Sequence, residues 1–326
     1  MQLPGSLKAL LDLLADGRFH SGPDLAQRLG TDRAGVWKRI SALRCHGLDI
    51  HAVPGTGYRL SSPLELLDRK LIERALLAEI REKLVIEFHD QLDSTNTHLL
   101  RRAAEGVPSG TVCLAETQSR GRGRLGRGWV SPFSGNVYLS LLWRFGRAGF
   151  SGLSLAVGVA TVRALRAQEV VGVTLKWPND LLWDGKKLGG VLIEVSGQEA
   201  GQYAVVIGIG LNLNFPDREA ESIDQEWVDL ARVTGGRAIG RNRLIAEMLN
   251  QLVPILMTYE SSGFAPYLDE WRRFHAFDGA RVRIQQGDRV QQGWVAGVTD
   301  QGLLLLDCED GLRREFASGD VRLRPL

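Results

Sequence analysis

The chain has 326 residues, 44% of them hydrophobic and 24% charged, with a formal net charge of +2. Domains usually run about 100–200 residues, so two or three are expected. The composition is that of an ordinary globular protein, and it leaves no bulk charge for nucleic-acid binding; any cationic site must be local.

Three cysteines (Cys45, Cys113, Cys308) lie far apart in a spacing that fits neither a disulfide framework nor a metal site. They read as buried or indifferent thiols of a reducing cytoplasm. The first residues, MQLPGSLKALLDLLADG, are broken by Lys8 and Asp12 and lack the apolar core of a signal peptide. No apolar run approaches the ~18 residues of a membrane span. The expectation is a soluble cytoplasmic protein with no membrane partner.

Leu7, Leu10, Leu11 and Leu14 stand at helical spacing before Gly17. Ser21 is a candidate cap for a second helix with Pro23 in its first turn, and Thr31 or Asp32 caps a third. The third helix carries Arg33, Lys38, Arg39 and Arg44 with no acid among them. LDIHAVPGTGYRL then reads as a hairpin turning at PGTG. Helices followed by such a hairpin predict a winged helix-turn-helix over residues 1–62. Arg33, Trp37, Lys38 and Ser41 are its candidate DNA contacts, cations for phosphates and polar groups for base edges. A small helical protein-binding module, its basic face merely solvated, is the alternative.

Ser61-Ser62-Pro63 reads as a hinge into a second domain, residues 63–274. Its first recognisable unit, VIEFHDQLDSTNTHLLRRAAEG, runs strand, turn, helix, and Asp93-Ser94-Thr95-Asn96 by itself says only that a helix starts. His89 and His98 beside this turn read as structural or surface residues.

GRGRLGRGW (121–129) formally matches G-x-G-x-x-G through Gly121, Gly123 and Gly126. A dinucleotide fingerprint needs a helix to open inside the glycines and an acid about 20 residues on. Here Pro132 opposes a helix, and no Asp or Glu occurs between Glu116 and Glu169. What remains is a glycine- and arginine-rich loop between two strands. Glycine lets backbone N–H groups approach an anion, arginine adds forked donors, and Trp129 offers a flat apolar surface. Such a loop is expected to be mobile when empty. An RNA-binding arginine–glycine tail is the competing reading, and it fits less well inside an ordered strand pattern.

TLKWPNDLLWDGKKLGGVLIEV predicts a strand ending at Leu175, turn residues Asn179 and Asp180, and a hairpin at Asp184-Gly185. It brings Lys176, Lys186 and Lys187 near one sheet edge beside Asp180. YAVVIGIGLNLN is a further buried strand ending in Asn212 and Asn214. After residue 274, short strands broken by Gly and Asp-Gly turns predict a small SH3-like β-barrel, 275–326.

DSTN (93–96), GRGRLGRGW, KWPNDLLWDGKKLGG (176–190) and GIGLNLN (208–214), in this order, resemble the motif series of biotin–protein ligases. With the winged helix, the chain resembles the bacterial bifunctional biotin ligase and biotin-operon repressor over nearly its whole length. The resemblance implies an α+β fold: winged helix-turn-helix, central mixed-sheet ligase domain and SH3-like C-terminal barrel. It implies that Ser94, Thr95, Asn96 and Gln118 bind biotin, with backbone groups near Gly121. Arg122 and Arg124 would close over the biotin carboxylate and α-phosphate, and Lys187 would be the main catalytic cation. Arg124, Arg127, Trp129, Lys176, Asn179 and Asn212 would place ATP, and Asp180 would lie in the metal region with Mg²⁺. The loop departs from the family where two basic residues are common and this chain has Leu125 and Gly128, which bears on loop stability and dimer strength.

The implied reaction joins biotin and ATP into biotinyl-5′-AMP and pyrophosphate; a lysine of biotin carboxyl carrier protein then attacks the acyl carbon and AMP leaves. Lysine, arginine and Mg²⁺ suit the negative charge that gathers on the phosphate oxygens, and no enzyme nucleophile is needed. The biotinyl-AMP-bound homodimer would bind operator DNA. A sensor-only repressor without ligase activity and a lipoate-type ligase are the other hypotheses.

Overall fold

The computed structural model describes residues 2–199, 201–216, 223–319 and 321–325. Helices α1 (Gly5–Leu14), α2 (Gly22–Arg28) and α3 (Arg33–Cys45) precede the hairpin of β1 (Ile50–Val53) and β2 (Gly57–Leu60). The four leucines of α1 are buried, with Val36, Ile40 and Leu43 of α3 against them. Ser21 caps α2 through the Asp24 N–H, and Asp32, rather than Thr31, caps α3 through the Gly35 N–H at 2.7 Å. This is the winged helix-turn-helix that the leucine spacing and the PGTG turn predict.

The hinge expected at Ser61–Pro63 is followed at once by a pinned segment. Leu64 N donates to Ala15 O, and Leu67 N donates to Glu116 Oε1 at 2.6 Å. The Glu65 carboxylate accepts from the backbone N–H groups of Arg241 and Asn242. Phe133, far along the chain, is part of the N-terminal core. The winged helix is therefore stitched to the next unit by both hydrogen bonds and apolar packing.

That unit is a seven-stranded sheet in the order β3-β4-β5-β9-β8-β7-β6. The strands are β3 (Val85–Leu92), β4 (Thr111–Gln118), β5 (Asn136–Phe145), β6 (Val173–Lys176), β7 (Asp180–Trp183), β8 (Lys186–Glu199) and β9 (Gln202–Asn212). Only β3 and β4 pair in parallel, joined by α6 (Thr95–Ala104). Before β3 come α4 (Arg69–Ala75) and α5 (Ala78–Arg81). On one face, α7 (Leu153–Ala167) and a 22-residue helix, α9 (Arg241–Ser262), cover Leu139, Leu141, Ile207 and Ile209. On the other, α6 sets Leu99 and Ala103 against Leu142 and Val206. Two shorter helices, α8 (Leu230–Val233) and α10 (Leu268–Phe274), complete this unit.

Five antiparallel strands end the chain: β10 (Arg281–Gln286), β11 (Arg289–Val298), β12 (Leu304–Cys308), β13 (Arg313–Phe316) and β14 (Val321–Pro325), in the order β13-β12-β11-β10-β14. The last strand returns beside the first, which gives the SH3-like layout. Its buried Val282, Ile284, Val295 and Leu306 join the main core. Among the described residues, no helix is long and apolar enough to cross a membrane.

Candidate active site

The floor of the site follows from the period of two in β9. Ile207, Ile209 and Leu211 face the core, so Val206, Gly208, Gly210 and Asn212 share the other face. Val206 meets α6, and beyond it the two glycines leave the sheet bare. Their absent side chains are replaced by two neighbours. A Cβ on Gly208 would stand 2.2 Å from Asn96 Oδ1, and one on Gly210 would stand 2.7 Å from Trp129 Cε2. Above this floor opens a cleft of about 1140 Å³. That is room for two ligands lying end to end.

One end is neutral and polar. Ser94 caps α6 and is buried, and Thr95 donates its backbone N–H to Gln118 Oε1 at 2.8 Å. Ser140 Oγ lies 2.7 Å from Thr95 Oγ1 and donates to Asn96 Oδ1 at 2.6 Å. Asn96 Nδ2 in turn donates to Glu194 Oε2 at 2.9 Å. These are donors and acceptors fixed by one another, suited to a ligand with both amide-type edges. Ser140 and Glu194 were not singled out from the sequence: each sits inside an apolar strand, and only the register of β5 and β8 against β9 turns them toward α6.

The other end is cationic. Lys187 Nζ stands 2.9 Å from Asp180 Oδ1 and 5.6 Å from the Trp129 ring centroid. The cause is local. Asp184 and Gly185, both at positive φ, make the tight turn that returns β8 beside β7, and Leu182 pairs with Lys187 across it. Asp180 opens β7 and pairs with Lys176, so it is a strand residue rather than a turn residue. Burial pushes the Lys176 ammonium below its ordinary pKa; Asp180 opposes this, while Lys187 and Arg127 add to it. Lys186 points outward and is exposed. Asn179 donates to Val191 O and Asn212 to Val228 O, so both amides are held by backbone.

Between the ends lies the glycine–arginine loop. It is a small hairpin: Gly123 N donates to Arg127 O and Trp129 N to Gly121 O, both at 2.8 Å. The loop thus holds backbone bonds of its own. Gly121 has no room for a side chain, since a Cβ there would be 2.3 Å from Trp129 O. Leu125, exposed, sits at φ +57°, a region costly for a residue with a Cβ. Arg122 is ion-paired with Glu194 at 2.7 Å, a partner the sequence did not suggest. Arg124 reaches Asn179 Oδ1 and donates to the carbonyls of Ser318 and Gly319. The C-terminal unit thus touches the loop, and Leu323 and Arg324 line the same cleft.

Every residue expected to bind biotin or ATP lines this one cleft, Arg127 and Asn212 included. The candidate DNA contacts are elsewhere, on α3. Arg33, Trp37 and Lys38 are exposed and Ser41 is half-buried. Arg44, counted among the basic residues of that helix, instead turns its guanidinium onto Ile50 O of the wing.

Three family models match in sequence order: an HTH domain over residues 6–59, the Biotin/lipoate A/B protein ligase family over 88–212, and the Biotin protein ligase C terminal domain over 279–324. The Bifunctional ligase/repressor BirA of Salmonella typhimurium is 40% identical over 317 residues, covering 97% of this chain and 96% of its own. A Biotin--[acetyl-CoA-carboxylase] ligase of Mycobacterium tuberculosis is 35% identical over 71% of this chain and 86% of its own. Among solved structures, a biotin protein ligase from Aquifex aeolicus in complex with biotin and ATP is 27% identical, with a TM-score of 0.64 over 74% of this chain and 99% of that one. With the cleft, the winged helix and the C-terminal sheet all present in one chain, this protein belongs to the biotin protein ligase family and has the domain set of its bifunctional ligase/repressor members.

Proposed function

We propose that the protein is an ATP-dependent biotin–protein ligase that also represses transcription. The observation that carries the reading is the polarity of the cleft: a neutral hydrogen-bonding end at Thr95 and Gln118, a cationic end at Lys187, and the arginine hairpin between them. The neutral end suits a ureido ring, and the hairpin and Lys187 suit a carboxylate meeting an α-phosphate. Biotin would lie with its ring beside Ser94, Thr95, Asn96 and Gln118. Its carboxylate would reach Arg122, Arg124 and Lys187, which hold the two anions together and take up charge as pyrophosphate leaves. Trp129, lying over Gly210, gives the nucleotide a flat surface, and Asn179, Asn212, Lys176 and Arg127 flank it. Mg²⁺ is usually held by one or two carboxylates together with substrate phosphates. Asp180 is a hard oxygen donor at the phosphate end and fits that role; the ion would add positive charge there.

The acceptor is a lysine of biotin carboxyl carrier protein, whose amine attacks the acyl carbon and releases AMP. Biotinyl-5′-AMP bridges the hairpin and the sheet, and through them favours the homodimer whose two α3 helices bind operator DNA. The chain would divide at about residues 62 and 274.

Pyrophosphate release with ATP, Mg²⁺ and either biotin or lipoate tests the chemistry. Biotin-dependent release that collapses in Lys187→Ala supports it. No release from folded protein that still binds biotin leaves a sensor-only repressor.

A further inference from the structure

We propose that His89, His98 and Cys113, with the Glu87 carboxylate beside the two imidazoles, form a binding site for one Zn²⁺-class cation, outside the ligand cleft. The four residues come from three elements. Glu87 and His89 alternate onto one face of β3, Cys113 pairs with Glu87 across the parallel β3–β4 register, and α6 lays His98 over them. One ring nitrogen of each histidine and the Cys113 Sγ lie within 4.8 Å of one another. Glu87 Oε2 is 2.6 Å from His98 Nε2 and 3.7 Å from His89 Nε2. Two imidazoles, a thiol and a carboxylate are a donor set for tetrahedral Zn²⁺, whose bonds of about 2.0–2.3 Å place ligand atoms a little under 4 Å apart. The His89–His98–Cys113 group is thus somewhat wider than a closed site, and the contact between Glu87 and His98 is tighter than one.

A second observation points the same way. His89 Nε2 is shut off from solvent and has no hydrogen-bond partner among the described residues, while Glu87 is too far to accept from it. An unpaired buried nitrogen is costly, and a cation would satisfy it. Cys113 is wholly buried, and binding releases one proton from Sγ to solvent as the S–metal bond forms. Arg102 pairs with the outer oxygen of Glu87, which leaves Oε2 facing the two imidazoles. The two histidines are partly exposed, at 20% and 17%, and provide the way in. The cation would clamp α6 to β3 and β4 just behind Ser94 and Thr95.

The test uses chelator-treated full-length protein titrated with Co²⁺, then Zn²⁺. One Co²⁺ per chain is expected, with four-coordinate visible bands and a sulfur-to-cobalt absorption, displaced by Zn²⁺. Cys113→Ser should abolish the sulfur band, Cys45→Ser should leave it, and His98→Gln should weaken binding about tenfold or more. No stoichiometric binding, a spectrum without sulfur, or affinity unchanged in His98→Gln overturns the proposal. Should Cys113→Ser not fold, His89→Gln decides: unchanged Co²⁺ affinity in this partly exposed variant refutes the site, and a tenfold or greater loss supports it.

Discussion

Lys187 and Asp180 form an ion pair of 2.9 Å in which both side chains are less than a fifth exposed. Among the described residues neither has another ion pair, so the pair positions the cation that faces the arginine hairpin. Lys187→Met keeps the stem over Trp129 and removes only the charge. Loss of one charge aimed at a developing oxyanion typically costs about 10²–10³ in rate. The expected result is such a fall in biotin-dependent pyrophosphate release with biotin affinity altered much less, measured by single-turnover kinetics and calorimetry.

The two glycines of β9 make separable demands. Gly208→Ala drives a methyl into Asn96, which is held by Ser140 and Glu194 and cannot retreat. Biotin affinity should fall at least tenfold, about 1.4 kcal/mol. Gly210→Ala instead lifts Trp129 from the sheet, so ATP affinity should suffer more than biotin affinity. Titration of each variant with each ligand alone separates them; equal losses of both ligands in both variants would refute the division of the cleft.

Arg241, at the start of α9, is fully buried and ion-paired with Glu116. It also donates to the carbonyls of Asn136 and Ala115 and to Ser134 Oγ. Arg241→Met leaves Glu116 buried without its cation, so stability should drop by about 3–5 kcal/mol in urea denaturation. Adding Glu116→Gln should recover part of that loss. A drop below about 1 kcal/mol would mean that water reaches the pair.

Among the described residues neither ring nitrogen of His275 has a hydrogen-bond partner, and its ring packs 4.4 Å from that of Trp271. Burial lowers its pKa from 6.5 to about 4, against a small opposing pull from Asp278. The folded state therefore resists protonation that the unfolded chain accepts. Stability is unaffected above pH 6.5, falls as pH drops from there to about 4, and levels off below, with a ceiling of about 3 kcal/mol. His275→Phe should flatten that slope between pH 7 and 4.5, measured as the change in denaturation midpoint.

What could be read along the chain was local. Leucine spacing, Ser21 and Asp32 caps, and the PGTG and Asp184-Gly185 turns each act within a few residues, so the winged helix and the β7–β8 hairpin were legible before any packing was known. The motif series likewise named the residues that line the cleft, because glycine and arginine are demanded there by backbone approach and by charge.

Partnership across elements was not legible. Arg122 with Glu194, Ser140 with Asn96, Arg124 with the Ser318 carbonyl, and Phe133 within the N-terminal core all join segments tens of residues apart. The same holds for His89, His98 and Cys113, which read singly as two bland histidines and a spare thiol. Sequence by itself determined the secondary elements and their faces, since those follow from short-range sterics and periodicity, and the resemblance of its motifs supplied the residues of the cleft. Tertiary structure alone decided which donor meets which acceptor, because strand register and helix docking set side-chain distances, and both are fixed only when the whole apolar core closes.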